Sequence, residues 1–521
     1  MRSLGQQFVM GQDITSSIKR ATKAELKHYR YSYDMLGETA LTQADADKYF
    51  NAYCNAIQAL SLPNSNKKLI ERPGISIKLS AIFPRFDFNN QDKAITVLTD
   101  RVLELCCLAK AGEISLTIDA EEIACKNMTL SIFENVIRDP KIMGWNGLGI
   151  AIQAYHKSAY NTINWLIQLA EICNTQILVR LVKGAYWDYE IKDSQQRGLN
   201  QYPVFTYKAN TDISYLSCAK RMLAAPKWIY PQFATHNVLT IMTLLHWLGD
   251  NPNFEFQCLH GMGEMIYNTL LKQTTLPTSC RIYAPVGKYQ DLLPYLVRRL
   301  LENGANNSFI NQLMNENYPI SQITADPVNK MHRLKERSNP NIPLPIALYG
   351  SSRPNSMGMD LNCPLVQHYI YKHMEGLAEK SWLATPLGEA FANHTMDSFE
   401  PVHNPATLKT IGKLVKATAS DVPSIMQVAQ DYYPTWNQSA LEDRAAFLNK
   451  AADLLESRRL DFIYLARVEA GKTLQDAIDE VREAIDFLRY YATEGLKNLA
   501  PQTLTGPTGE TNILELHGRG I

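Results

Sequence analysis

In Gly74-Ile75-Ser76-Ile77-Lys78-Leu79-Ser80-Ala81 the aliphatic residues Ile75, Ile77 and Leu79 alternate with Ser76, Lys78 and Ser80. Successive side chains of an extended strand point to opposite faces, so this segment reads as a strand with one apolar and one polar face. Residues 115–121 repeat the pattern, with Leu116, Ile118 and Ala120 against Thr117, Asp119 and Glu121. Five more β-like runs follow at 147–153, 176–184, 229–236, 254–260 and 281–286, several of them separated by helical stretches at 94–109, 131–136, 160–173 and 214–223. With a further short run at Ser308-Phe309-Ile310, the alternation counts out to an α/β chain centred on a parallel (β/α)8 barrel of the TIM type. No GxGxxG is present, which argues against an open dinucleotide-binding sheet. Lys78, Asp119, Gln153, Arg180, Thr235, His236 and Tyr283 lie at or near the carboxyl ends of their runs. That is the end at which a barrel carries its chemistry.

On either side of these runs the pattern changes. Residues 22–60 have amphipathic helical periodicity, and Tyr33-Asp34-Met35-Leu36-Gly37-Glu38 reads as a turn between helices. Residues 1–60 are therefore expected to be a helical segment of the barrel domain and 61–330 the barrel itself. Residues 331–400, rich in proline, asparagine and serine, read as a linker with one helix near 365–383. Residues 401–521 read as an incomplete second α/β domain, with a strand near 411–415 and helices at 420–430, 441–457 and 477–491. Within it Ala470-Gly471-Lys472-Thr473 has the end of a phosphate-binding loop but lacks the first glycine, since position 466 is Ala466.

Composition narrows the function class. With 45% apolar and 20% charged residues in 521, the chain reads as an ordinary soluble globular protein of two or three domains. Lysine plus arginine equal aspartate plus glutamate at 52 each, so no net field draws the chain to nucleic acid or to an anionic bilayer. The nine cysteines are scattered, without CxxC or Cys/His spacing, and imply free thiols in a reducing cytoplasm and no metal site. No signal-peptide core or bilayer-length apolar run is seen, which leaves peripheral membrane contact open.

Two stretches suggest ligand binding. In Tyr295-Leu296-Val297-Arg298-Arg299-Leu300-Leu301-Glu302, a helix ended by Asn303-Gly304 places Tyr295, Arg298, Arg299 and Glu302 on one stripe. Two arginines side by side suit an anion with two oxygens, although a solvated pair bridged to Glu302 satisfies the same pattern. In Arg180-Leu181-Val182-Lys183-Gly184-Ala185-Tyr186-Trp187-Asp188 a strand runs into a glycine and two aromatics, a surface fit for a flat ring or simply core packing after a strand.

These stretches, with Ile118-Asp119-Ala120-Glu121-Glu122, residues 232–237 and 258–264, resemble proline dehydrogenase, as found in the barrel of the bifunctional proline utilization A family. The resemblance covers residues 5–330. Asn404-Pro405-Ala406-Thr407, Arg444-Ala445-Ala446, Glu469-Ala470-Gly471-Lys472 and Arg489-Tyr490-Tyr491-Ala492 are similar to the opening of that family's aldehyde dehydrogenase domain, whose catalytic cysteine segment and glycine-rich turn are absent. The chain thus looks like a middle fragment. The resemblance implies oxidation of L-proline to Δ1-pyrroline-5-carboxylate with FAD as cofactor and a membrane quinone as electron acceptor, the first step of proline degradation to glutamate. It implies Lys78, Arg298 and Arg299 on the substrate carboxylate, Asp119 beside Lys78, and Ala185, Leu259, Tyr283 and Tyr295 around the ring. Arg180 matches the cation near the reactive flavin nitrogen, which makes Arg180, Asp119 and Lys78 the expected catalytic set. Gln153, Val182, Gly184, Trp187, Thr206, Lys208, Thr235, His236 and Glu302 match the other FAD contacts, and Asp34 and Glu38 a gate that pairs with Arg298. Homo-oligomerisation is left open. The competing expectation is an inactive or partner-dependent fragment of the bifunctional enzyme.

Overall fold

Eight parallel strands close on themselves: β1 Arg30–Met35, β2 Gly74–Ile77, β3 Ser115–Ile118, β4 Leu148–Gln153, β5 Ile177–Val182, β6 Ile229–Ala234, β7 Glu255–Leu259 and β8 Cys280–Val286. Each pairs with the next, and β8 pairs with β1. The computed structural model describes residues 8–23, 29–37, 39–61, 66–272, 279–288, 295, 297, 319, 321, 324–387 and 399–521. Among these, no helix is long and apolar enough to cross a membrane.

The first strand corrects the sequence expectation. Residues 33–35, read as part of a turn, end β1, and the barrel closes without a strand at 308–310, which lies outside the described residues. β1 is hard to see in sequence because both of its faces carry polar atoms. Tyr31 and Tyr33 pack outward, stacked at 5.9 Å, whereas Ser32 and Asp34 turn inward and are buried at 3% and 0% exposure. An alternating strand normally shows its inner face as apolar; here the interior is polar, and other strands supply the partners.

Register makes this explicit. Residues paired across neighbouring strands share a face, so the pairs Ser32↔Tyr283, Asp34↔Ser76, Ser76↔Thr117, Ala151↔Arg180, Arg180↔Gln232, Ala234↔Gln257 and Leu259↔Tyr283 define one continuous inner surface. The pairs Tyr33↔Ile75, Ile75↔Leu116, Ile150↔Val179 and Phe233↔Phe256 define the outer surface, which belongs to the main hydrophobic core. Helices Gln91–Ala111, Ile123–Ile137, Ala159–Ile172, Lys208–Leu223, Val238–Leu248 and Glu264–Lys272 follow β2, β3, β4, β5, β6 and β7. Near the amino-terminal end of the strands, Glu255 accepts from Arg281 Nε at 2.7 Å, Gln232 Nε2 at 2.8 Å and Gln257 Nε2 at 2.9 Å. Burial alone would push the Glu255 carboxyl up, but Arg281 holds it below its ordinary value.

The chain separates into two compact units, residues 1–191 with 202–342, and 192–201 with 343–521. Residues 343–400, read from sequence as part of a linker, therefore contribute to the second unit. That unit contains a three-stranded sheet of Glu400–His403, Thr410–Leu414 and Trp382–Ala384, and four helices from Val422 to Asn498. Its interior ion pair joins Arg489 to Glu456 at 2.6 Å. Gly471 is the left-handed cap of helix Arg459–Ala470 and Thr473 caps the next helix by accepting from Asp476 N at 3.2 Å. The four residues that resembled a phosphate loop are a helix stop followed by a helix start.

Candidate functional site

Polar side chains from β1, β2, β5, β7 and β8 and from the residues just past β2 and β3 meet inside the barrel. Lys78, just past β2, donates from Nζ to Asp34 Oδ2 at 2.9 Å, Asp119 Oδ2 at 3.2 Å and the Tyr283 hydroxyl at 3.1 Å. Tyr283 in turn donates to Asp119 Oδ2 at 2.6 Å. Arg180 spans the barrel, with Asp119 Oδ1 at 2.5 Å, Gln257 Oε1 at 2.7 Å, Ser76 Oγ at 2.8 Å and Ser32 Oγ at 3.3 Å. Its guanidinium also lies over the Tyr283 ring, 5.2 Å from the centroid. Two cations and two carboxylates, all buried, balance one another.

The electrostatics follow from that closeness. Burial disfavours the Lys78 ammonium, yet Asp34, Tyr283 and Asp119 raise it well above the ordinary lysine value. Burial would also push Asp119 up, but Lys78 and Arg180 outweigh it and hold the carboxyl below its usual range. Asp34 goes the other way: complete burial pushes it up against the pull of Lys78. Asp119 is thus the ionised partner of two cations, suited to charge balance and not to abstracting a proton.

Sequence reasoning grouped Lys78, Asp119, Arg180 and Tyr283, and the structure brings all four together. Asp34, read from sequence as part of a turn and matched to a gate over Arg298, lies inside the barrel as a direct counter-ion of Lys78, while Gln257, Ser32 and Ser76, which sequence reasoning missed, hold Arg180. Ser76 was visible on the polar face of its strand, but Ser32 could not be found until β1 was recognised as a strand. Leu259 packs against a small buried cluster of Phe8, Val9, Leu36, Met262 and Tyr295. Ala185 and Gly184 are exposed in the loop after β5, and Gly184 has φ +135°, where an added Cβ would meet the Tyr155 ring at 2.5 Å. Val182 ends β5, and the Trp187 indole donates to Phe205 O at 2.8 Å. Thr206 accepts from Asn339 N at 3.0 Å, Lys208 opens its helix, Thr235 accepts from Asn237 N at 3.1 Å and His236 from Leu259 N at 3.2 Å. Gln153 donates to Glu121 O at 3.1 Å, and its Oε1 is buried with no partner among the described residues. Glu38, Arg298, Arg299 and Glu302 lie outside the described residues.

Glu121 stands one alternation above Asp119. Burial pushes its carboxyl up to about 7, against hydrogen bonds from Ser80, with Glu122 raising it further and Lys78 lowering it. Cys125, Lys126 and His156 also surround it. A carboxyl raised on folding contributes stability that is fully present below its unfolded value of 4.5 and is lost as pH rises through about 7. Thermal unfolding is therefore expected to shift downward between pH 5 and pH 8 by more in the parent chain than in Glu121→Gln, measured by circular dichroism. Equal shifts in both would contradict the assignment.

Residues 17–312 match the proline dehydrogenase family model and residues 391–521 the aldehyde dehydrogenase family model. The chain is 45% identical to the bifunctional protein PutA of Salmonella typhimurium, over 94% of this chain and 38% of that protein. It is 28% identical to proline dehydrogenase 1 of Bacillus subtilis, over 58% of this chain and 88% of that one. A crystal structure of bifunctional proline utilization A superposes with a TM-score of 0.87 at 40% identity, covering 100% of this chain and 50% of that chain. The chain spans about four-tenths of the length of the bifunctional relatives it matches.

Proposed function

This chain belongs to the proline dehydrogenase family, and on that premise we propose that it oxidises L-proline to Δ1-pyrroline-5-carboxylate, with FAD as cofactor and a membrane quinone as electron acceptor. The observation that carries the reading is the buried Lys78–Asp119–Arg180–Tyr283 cluster at the carboxyl ends of the strands.

All three donors of the Lys78 ammonium are committed in this structure. A substrate carboxylate can reach Lys78 by displacing the neutral Tyr283 oxygen, the weakest of the three partners, while the two carboxylates keep the ammonium in place. The four charges cancel, so an incoming carboxylate adds an uncompensated negative charge. Arg298 and Arg299 supply the balancing cations in this proposal. Asp34 Oδ1, buried without a partner among the described residues, offers an acceptor to the substrate amine. In this proposal Leu259, Tyr283, Tyr295 and Ala185 surround the substrate ring and Glu38 closes the site over Arg298, while Asp34, fully buried against Lys78, stays inside the barrel.

Gln153 Oε1, a buried acceptor, and the exposed backbone at Gly184 fit a flat ring with an N–H edge. Gln153, Arg180, Val182, Gly184, Trp187, Thr206, Lys208, Thr235, His236 and Glu302 are assigned to holding FAD. When bound, FAD supplies a two-electron acceptor for the carbon next to the proline nitrogen. Arg180 contributes a fixed positive charge for that acceptor, held by its four partners without reorganisation. The test is to load the purified chain with FAD and add L-proline without oxygen. Bleaching of the yellow absorbance is expected; a correctly loaded flavin that stays oxidised overturns the reading.

A further inference from the structure

Two rungs join the ends of β2 and β3. The lower is Lys78–Asp119, and the upper, two residues further along both chains, is Ser80–Glu121. Glu121 Oε1 accepts from Ser80 N at 3.0 Å, and its other oxygen accepts from the Ser80 hydroxyl. The same hydroxyl accepts from Thr39 N at 3.1 Å, and Ser80 O accepts from Ala40 N at 2.8 Å. Ser80 therefore passes the hold of a buried carboxyl to the segment that leaves β1, the strand that carries Asp34. Thr39 sits there at φ +57°, a conformation that a threonine keeps only where its surroundings enforce it. The segment is further fitted by Gly37, where a Cβ would fall 2.2 Å from the Tyr49 ring, and by Leu36 N donating to Val286 O at 2.8 Å.

We propose that Glu121 is a positioning residue that acts through Ser80 to align the ends of β1 and β2, so that Asp34 and Lys78 stay paired beside the substrate position. Neither Glu121 nor Ser80 belongs to the contacting set described above, and the substrate arm of this inference rests on the L-proline reading. The alternative is a carboxyl that supports the fold without influencing the site.

Three variants, Ser80→Ala, Glu121→Ala and Glu121→Gln, separate these. Ser80→Ala removes the hydroxyl that links Glu121 to Thr39, and Glu121→Gln keeps one acceptor. In the FAD-loaded chain, KM for L-proline is expected to rise about fivefold in Ser80→Ala, the equivalent of about 1 kcal/mol for one hydrogen bond, with kcat changed by less than about twofold. Glu121→Ala is expected to match Ser80→Ala, and Glu121→Gln to recover part of the loss. Amide hydrogen exchange at Thr39 and Ala40 gives a readout independent of activity: protection at both is expected to fall about fivefold or more in Ser80→Ala and Glu121→Ala, but not at core amides such as Ile77. Unchanged protection at Thr39 and Ala40 in both variants overturns the tether. Lost protection with KM and kcat falling or holding together overturns the positioning role. If the parent chain fails to oxidise L-proline, the functional reading fails, while the exchange result still decides whether the tether exists.

Discussion

Lys78→Met is expected to lose L-proline oxidation almost entirely, with kcat/KM lower by on the order of a hundredfold or more. The ammonium is a cation that Asp34, Asp119 and Tyr283 share. Methionine preserves much of the side-chain length and removes every donor, which leaves two buried carboxylates facing each other. Removing one partner from a buried, hydrogen-bonded charge cluster costs about 3–5 kcal/mol, because the remaining charge stays desolvated. Burial already pushes Asp34 up, so it takes up the proton that relieves the clash. The variant then has neither the cation for a substrate carboxylate nor the charge balance of the parent. Steady-state kinetics with L-proline, read beside flavin content, measure the effect. A kcat/KM within about tenfold of the parent would show that the carboxylate is held elsewhere.

The second large effect is expected at Arg180, and chiefly on stability. Its guanidinium satisfies Asp119, Gln257, Ser76 and Ser32, side chains from β1, β2, β7 and the end of β3. Arg180→Met leaves those acceptors buried without their donor and removes a cation that keeps Asp119 ionised. A loss of about 3–5 kcal/mol is expected, which for a domain of this size lowers the unfolding midpoint by roughly 10 °C. Arg180→Lys restores the charge but not the fork that reaches several partners, so it is expected to recover only part of the loss. Thermal denaturation of the three chains side by side checks this. A midpoint for Arg180→Met within about 2 °C of the parent would mean that the barrel interior satisfies these groups by other means.

These effects also show how much was legible without coordinates. Strand alternation in residues 74–81 and 115–121 was enough to place Lys78 and Asp119 on polar faces at strand ends, and the βα spacing was enough to imply a closed parallel barrel. Arg180 and Tyr283 were visible as polar residues on otherwise aliphatic strands. β1 was not legible. Its inner residues Ser32 and Asp34 are polar because their partners arrive from β2, β5 and the residue after β2, which are 44 to 148 positions away. Local periodicity sees only neighbours along the chain, and acids beside a glycine resemble a turn in that view.

The amino-acid sequence by itself determined the barrel, the family and the residue types at the strand ends, because hydrophobic alternation and strand–helix spacing are properties of the chain read locally. Tertiary structure alone decided which charges compensate one another: that Asp34 belongs to Lys78, that Gln257 and two serines hold Arg180, and that Glu121 reaches the segment after β1 through Ser80. A buried charge is stable only in the company of partners gathered from distant strands, and that company exists only once the barrel has closed.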